Sequence, residues 1–314
     1  MRARLIVLSL VILAGCTAGD TDTPANTADT ATAAADTGLR LVATVQGLSG
    51  PESAIFDPVQ DVWFVTNIAG SPGARDNNGF ISRISADGVV DSLRFIAGGR
   101  DGVTLNAPKG TAIVGDTLWV ADIDALRGFH TRTGAALTTV EFGERAGFLN
   151  DVAVGPDGAI YVTDTGIRFG DDGQMTPAGT DQVFRVARDR SVTTALKTDS
   201  LVAPNGIAWD AAGSRFVVVS FRSPTLFHWA PGDSAPAVAG TAGGGNDGAE
   251  LVDGMLLVTS WEDSALVAFE NGAERPLVRG LNSPADIGVD AARNRVAIPL
   301  LPADRVEIYE LPAR

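Results

Sequence analysis

The chain has 314 residues, with 38 acidic against 24 basic residues and a formal net charge of −14 at neutral pH. An acidic chain without a run of basic residues is a poor binder of nucleic acids and of anionic lipid surfaces, because it repels both. Its single cysteine, Cys16, excludes an intrachain disulfide.

The first fifteen residues have the pattern of an export signal peptide. Arg2 and Arg4 form a basic start, and residues 5–14 are an apolar stretch too short to span a bilayer permanently. The stretch ends in Leu-Ala-Gly-Cys, which resembles a bacterial lipobox, so we expect Cys16 to become the lipidated N-terminus of the mature protein. The sequence therefore predicts a lipid-anchored protein of the bacterial cell envelope, on the periplasmic or outer-membrane side.

The segment after the signal peptide, residues 16–38, is predicted to be a disordered tether. Residues 17–38 contain seven Ala, seven Thr and four Asp, and no aromatic residue, Lys or Arg. Such a composition buries too little apolar surface to offset the entropy of ordering the chain. The folded domain is therefore expected to cover residues 39–314.

Within that domain one short phrase occurs six times. Each copy precedes a second apolar run, and nothing in the domain sustains a helical period over twelve residues. Repeats of roughly 40–55 residues built from short strands are typical of a β-propeller. The sequence thus predicts an all-β fold, a six-bladed β-propeller. The six copies begin at Gly50, Ala107, Leu149, Ala203, Asn246 and Ser283.

The sixth repeat has only three strands after its phrase begins, at 285–290, 294–299 and 304–311. Residues 39–45 are expected to supply the missing fourth strand, so that the N-terminal strand completes the last blade and leaves no open edge. Two loops on the same face as the phrase openings, 67–78 and 165–180, are long enough to shape a binding site.

In a propeller the first strand of each blade lines the central channel. One residue near the start of each phrase, called here the phrase-opening residue, should therefore meet its counterparts at one mouth. Five of the six are polar. They are Glu52, Lys109, Asn150, Asn205, Asp247 and Ala285.

Oxygen donors dominate this ring, and hard oxygen ligands select Ca²⁺, Mg²⁺ or Mn²⁺. The two histidines, His130 and His228, fall in outer strands of different repeats. Their separation argues against a histidine zinc site.

Four of the phrases resemble those of the gluconolactonase/regucalcin (senescence-marker-protein) family. They are Gly-Pro-Glu at 50–52, Leu-Asn-Asp at 149–151, Pro-Asn-Gly at 204–206 and Asn-Asp-Gly at 246–248. The family consists of six-bladed propellers, and the resemblance covers nearly all of 39–314.

This resemblance implies one divalent cation, with Ca²⁺ favoured over Mg²⁺ and Mn²⁺, held by Glu52, Asn205 and Asp247. It also implies that Asn150 binds substrate and that the reaction is hydrolysis of a small lactone or ester. The cation would polarise the carbonyl, and Asp247 would manage the proton of the attacking water.

Two positions depart from the family pattern. Phe148 stands where the family often has an Arg that grips substrate hydroxyls. Lys109 either takes the place of the cation and neutralises the two carboxylates, or acts as a catalytic group that donates to a developing oxyanion or to the leaving alkoxide. The remaining candidates for substrate binding are Asp151, beside Asn150, and an aromatic wall of Phe148 and Trp261.

Three functions stay open at this point. The first is a metal-dependent, lactonase-like hydrolase of a small-molecule substrate. The second is a propeller without catalysis or cofactor, in which Lys109 replaces the metal and the partner is a ligand or an envelope protein. The third is another enzyme of the same fold, resembling strictosidine synthase or streptogramin lyase. In each case a monomer is expected.

Overall fold

The computed structural model describes residues 39–170, 173–270 and 272–312. These residues form six four-stranded antiparallel sheets, so the expected all-β, six-bladed propeller is confirmed. The predicted signal peptide, Cys16 and the tether lie outside the described residues.

The chain enters the propeller through β1 (Arg40–Gln46), which belongs to the last blade. The first blade consists of β2 (Pro51–Asp57), β3 (Val62–Asn67), β4 (Phe80–Ser85) and β5 (Val90–Ala97). The second consists of β6 (Pro108–Val114), β7 (Thr117–Asp122), β8 (Ala125–His130) and β9 (Ala136–Glu141), followed by the 3-10 turn Gly143–Arg145.

The third blade consists of β10 (Leu149–Val154), β11 (Ile160–Asp164), β14 (Gln182–Val186) and β15 (Val192–Leu196), with the hairpin β12 (Ile167–Phe169) and β13 (Met175–Pro177) inserted after β11. The fourth consists of β16 (Pro204–Asp210), β17 (Arg215–Ser220), β18 (Thr225–Trp229) and β19 (Ala237–Thr241). The fifth consists of β20 (Asn246–Val252), β21 (Met255–Ser260), β22 (Ala265–Glu270) and β23 (Ala273–Arg279). The sixth consists of β24 (Gly288–Asp290), β25 (Arg295–Leu300), β26 (Arg305–Glu310) and β1, with the 3-10 turn Leu301–Ala303 before β26.

The ring closes as the sequence predicts, because β1 pairs antiparallel with β26 from Arg40↔Glu310 to Gln46↔Arg305. The innermost strand of this blade is shorter than expected. Residues before Gly288 form only isolated bridges, and the Asp286 N–H donates to the Glu52 carbonyl of the first blade (2.9 Å) instead of extending the sheet. The seam between the last and first blades is thus tied directly at the channel wall.

Large apolar side chains fill the spaces between neighbouring blades. Between the third and fourth blades, the Phe216 ring lies 4.5 Å from Tyr161 and 5.7 Å from Trp229, measured between centroids. All three side chains are buried. Alternate residues of each strand therefore face one neighbouring blade or the other, which explains why the strands read as nearly continuous apolar runs.

Inner strands of adjacent blades approach so closely that a glycine follows the phrase opening in three of them. A Cβ added at Gly110 would lie 2.4 Å from Asp151 Oδ1 and 2.5 Å from Asp151 Cα. Equivalent contacts occur at Gly206, 2.4 Å from the Asp247 carbonyl oxygen, and at Gly248, 2.8 Å from Asp286 Cα. The narrow channel depends on these glycines.

Gly110→Ala is expected to destabilise the fold by roughly 1–3 kcal/mol, because the added methyl group overlaps backbone that cannot move without shifting a whole blade. Gly240→Ala is the matched control, since a Cβ there meets nothing within 4 Å and the glycine has no left-handed φ. Thermal unfolding followed by circular dichroism measures both. Equal melting temperatures for the two variants would contradict the close-approach explanation.

The two long loops meet above one face of the propeller. A Cβ on Gly73, in the first of them, would lie 2.5 Å from the ring of Phe169 in β12 of the second. The sequence predicts these loops as long excursions but does not reveal the β12–β13 hairpin. In the described part of the chain no helix is both long and apolar enough to cross a membrane.

Candidate functional site

Five inner strands break their pairing at the same height, where the face covered by the long loops begins. In each, one residue at the strand start pairs normally and the register then shifts before pairing resumes. Such bulges bend a strand and re-aim its side chains, commonly next to active sites. Each break contains one phrase-opening residue, and these are Glu52, Lys109, Asn150, Asn205 and Asp247.

Threonines of the second strands hold these bulges in place. The Oγ1 atoms of Thr66, Thr163 and Thr259 accept hydrogen bonds of 2.8–2.9 Å from the backbone N–H that follows each bulged residue. Thr163 also donates to the Asn205 carbonyl of the next blade (2.6 Å). The orientation of a bulged side chain is therefore fixed by its own blade and by the neighbouring one.

Carboxylates at the ends of second strands fix the loops that lead to the mouth. Asp122 accepts from the backbone N–H groups of Asn106 and Ala107 at 2.8–3.1 Å. Asp164 accepts from those of Gly147 and Phe148, both at 2.9 Å. The two aspartates thus hold the loops entering the second and third blades, as expected of loop caps.

Glu52, Asn205 and Asp247 project from three blades into the mouth, and each is at most 5% exposed. Among the described residues, one oxygen of each is buried without a hydrogen-bond partner: Glu52 Oε2, Asn205 Oδ1 and Asp247 Oδ1. A buried polar atom left unpaired costs about 1–3 kcal/mol. Three such oxygens at one mouth are the donors that a hard divalent cation takes, so these residues fit the cation that the family resemblance implies.

The electrostatics of the mouth also favour a cation. Burial raises the pKa of Glu52 well above its usual range, and the nearby charge of Asp247 raises it further. Burial and the charge of Asp286 likewise raise the pKa of Asp247, while side-chain hydrogen bonds from Trp261 and Asn205 lower it. Within the described residues no three His, Cys, Asp or Glu side chains group as metal ligands, and the set proposed from the family resemblance contains two carboxyl groups and one amide.

The charge of Lys109 reaches Glu52, whose pKa it lowers against the effect of burial. Its Nζ donates to the Ala107 carbonyl (2.9 Å) and lies 3.9 Å from the centroid of the Phe148 ring, a cation–π contact. The ion pairs of the described residues include none from Lys109 to Glu52 or Asp247. Burial lowers the pKa of the ammonium to about 8, although Glu52 and Asp122 oppose the shift.

The two neighbouring residues predicted to bind substrate have different surroundings. Asn150 is buried at the mouth and donates from Nδ2 to Thr165 Oγ1 (3.1 Å). Asp151 points into the seam between blades, where its two oxygens accept from the backbone N–H groups of Val152 (2.6 Å) and Ile207 (2.7 Å). The carboxylate of Asp151 thus ties the third blade to the fourth, and its substrate role stays a prediction.

Aromatic side chains surround the mouth on two sides. Phe148, beneath the Lys109 ammonium, has its ring centroid 5.2 Å from that of Phe169 in β12. Across the mouth, Trp261 packs edge-on against Phe221 at 5.0 Å. These pairs lie where the sequence predicts an aromatic wall, and the contact of Phe148 and Trp261 with a substrate stays a prediction.

Asp286 is the mouth residue that sequence reasoning missed. It lies one position below the ring, where Ser53 Oγ donates to it (2.6 Å), and burial raises its pKa to about 7. A signal was present, because Asp286 follows the phrase opening in its repeat as Asp151 does in another. The phrase-opening residue of that blade is the apolar Ala285, which predicts no polar group there.

Comparison with known protein families gives one family that this chain matches. The family described as "SMP-30/Gluconolactonase/LRE-like region" matches residues 78–263, more than half of the chain. No curated protein matches this chain.

Solved structures with low sequence identity share the fold. A gluconolactonase from Xanthomonas campestris has a TM-score of 0.64 at 19% identity, over 87% of this chain and 89% of that one. A luciferin-regenerating enzyme has a TM-score of 0.63 at 10% identity, over 86% and 95%. A virginiamycin B lyase from Staphylococcus aureus has a TM-score of 0.59 at 13% identity, over 87% and 99%. At these identities the likeness concerns the propeller alone, which serves both hydrolysis and lyase chemistry.

Proposed function

Since the chain belongs to the SMP-30/gluconolactonase/LRE-like family, we propose that it is a divalent-cation-dependent hydrolase of a small lactone or ester. The observation that carries the proposal is the set of three buried, unpartnered oxygens on Glu52, Asn205 and Asp247. Ca²⁺ is the favoured ion, with Mg²⁺ and Mn²⁺ as alternatives.

When bound, the cation would act as a Lewis acid on the substrate carbonyl. The residues of the chain supply the rest of the reaction. Asp247, besides helping to hold the cation, would accept the proton of the attacking water. As the ring C–O bond breaks, the Lys109 ammonium is placed to protonate the leaving alkoxide, for which a pKa of about 8 is suitable.

The aromatic walls indicate the substrate class. Phe148 replaces a polar group that would grip hydroxyls, and its ring is held by Phe169 and by the Lys109 ammonium. Asn150 remains as the polar contact on that side. We therefore expect a lactone or ester with an apolar face in preference to a fully hydroxylated sugar lactone.

The direct test is hydrolysis of a panel of sugar, alkyl and aryl lactones by the full chain, with Ca²⁺ or Mn²⁺ and again with a chelator. Turnover that chelation removes and metal restores would support the proposal. Absence of turnover on every lactone and ester in the presence of either metal would reject it and favour the propeller without catalysis.

Lys109→Met is expected to lower kcat by roughly 100-fold while KM changes little, because it removes the proton donor to the alkoxide but leaves the walls intact. It should also strengthen divalent-cation binding, since a neighbouring positive charge is lost. Steady-state kinetics and calorimetric metal titration measure the two effects. If Lys109 instead replaced the metal, tight cation binding would appear only in the variant.

The location is also a proposal: Cys16 is acylated and holds the propeller on the cell envelope. Metabolic labelling with a fatty acid should mark the wild-type chain and not Cys16→Ala. Labelling of both chains, or of neither, would contradict it.

A further inference from the structure

A second cavity lies at the opposite end of the channel from the mouth. Its volume is about 500 Å³, within the range of ligand-binding pockets. It is lined by the far ends of the inner strands of the first four blades and by Glu250 from the fifth. Glu250 follows Asp247 by three residues along β20, which places it roughly 10 Å further down the channel. We name this cavity the lower pocket.

The lower pocket has both polar and apolar wall residues. Ile113, Val154, Ile207 and the indole of Trp209 contribute from the second, third and fourth blades. The Trp209 ring is held in place by Phe216, with centroids 4.8 Å apart. These apolar side chains offer contacts to the hydrocarbon part of a compact ligand, beside the polar part of the wall.

One carboxyl group stands at the inner end of these walls. Glu250 is only partly exposed, and the ion pairs of the described residues do not include it. Burial raises the pKa of Glu250 to about 8, and the charge of Asp286 adds to the rise while the Leu251 N–H opposes it. Asp151, from the third blade, is close enough for the charge of Glu250 to raise its pKa.

The other charged groups that line the lower pocket make it net acidic. Asp57 and Asp116 stand at its rim, opposed by Arg132 alone. The Asp57 carboxylate accepts hydrogen bonds from the backbone N–H of Val59 (2.9 Å) and from Gln60 Nε2 (2.6 Å). Glu250 is therefore the acidic group left to meet a ligand inside the pocket.

We propose that the lower pocket binds a small organic cation, an ammonium group on a compact apolar body, with Glu250 as its counter-ion. An anionic ligand would face a net negative wall. A divalent metal would need several oxygen donors, and only one carboxyl group reaches the inner end. This site is separate from the mouth and does not depend on hydrolysis there.

Binding of an ammonium ion should be coupled to proton release. In the free protein at pH 7 the Glu250 carboxyl is mostly protonated, because its pKa is about 8. The ligand's positive charge favours the carboxylate, so binding at pH 7 should release a proton. The release should fade above pH 8, where the free carboxyl is already ionised.

The experiment is isothermal titration of the full chain with benzylamine, benzyl alcohol and benzoate at pH 7, in two buffers of different ionisation enthalpy. We expect one benzylammonium per chain, with the neutral and anionic analogues at least tenfold weaker, and heats that differ between buffers by the released proton. Equal binding of the amine and the alcohol, or no saturable amine binding, would overturn the proposal without any variant.

Three variants locate the site. Glu250→Gln should weaken benzylammonium binding at least tenfold and abolish the proton release. Glu274→Gln, an exposed residue on the outer strand of the same blade, should leave both unchanged. Asp247→Asn should also leave amine binding unchanged. If this variant no longer bound the amine, the amine would lie at the mouth and the proposal would be overturned.

Discussion

Asp247→Asn is expected to lower kcat/KM for lactone hydrolysis by roughly 10²- to 10³-fold, the loss typical of removing one preorganised electrostatic group. The change replaces a buried carboxylate, one oxygen of which has no partner within the protein, by a neutral amide of the same shape. It removes both the negative charge that balances a cation and the group that accepts the proton of water. Steady-state kinetics at saturating metal and a parallel metal titration separate the two losses.

Glu262→Gln is the matched control for this experiment. It removes one carboxylate charge from an exposed position, the second residue after β21 in the same blade. Its activity should stay within about twofold of the wild type, because an exposed charge is screened by solvent. Full activity of Asp247→Asn, with unchanged metal affinity, would reject the assignment of the metal to this mouth.

Removal of residues 39–46 is expected to lower the melting temperature by roughly 10 °C or more, whereas removal of residues 17–38 should leave it nearly unchanged. Without β1 the last blade has three strands, and the β26 edge loses six paired residues. Val45 alone, 2% exposed, contributes about 1.5–3 kcal/mol through burial. At this chain length each kcal/mol corresponds to roughly 2–4 °C.

Point substitutions on the same strand refine this test. Val45→Asp places a charge in the core between the last and first blades and should reproduce much of the loss. Leu41→Asp, at a position 48% exposed, should have little effect. Calorimetry measures all four proteins, and comparable melting temperatures for the two deletions would contradict closure by β1.

Much of the fold is readable from local sequence because a propeller repeats one local pattern. Short apolar strands separated by turn residues mark each blade, and the six phrases mark each inner strand, so the blade count follows from residues close together in the chain. Closure follows from the same count, because the sixth repeat lacks one strand and the strand at the start of the domain is left to complete it. The β12–β13 hairpin was missed because its strands are three residues each, too short to show an alternating pattern.

The sequence by itself determined the six blades, the closing strand and the polar character of the mouth. These features depend on strand periodicity, turn chemistry and residue identity at repeated positions. It also pointed to Glu52, Asn205 and Asp247 through a resemblance in short phrases. It left open whether Lys109 neutralises those carboxylates, because a position in a repeat does not fix the direction of a side chain.

The tertiary structure decided those directions. Bulges held by threonines turn the ring residues, and the Lys109 ammonium lies over the Phe148 ring, 39 positions away in the chain. Asp286 joins the mouth through Ser53, and Glu250 reaches the lower pocket from a separate blade. Each of these arrangements depends on contacts between blades that are distant in the chain. Local sequence patterns carry no record of such contacts, because they form only when the ring closes.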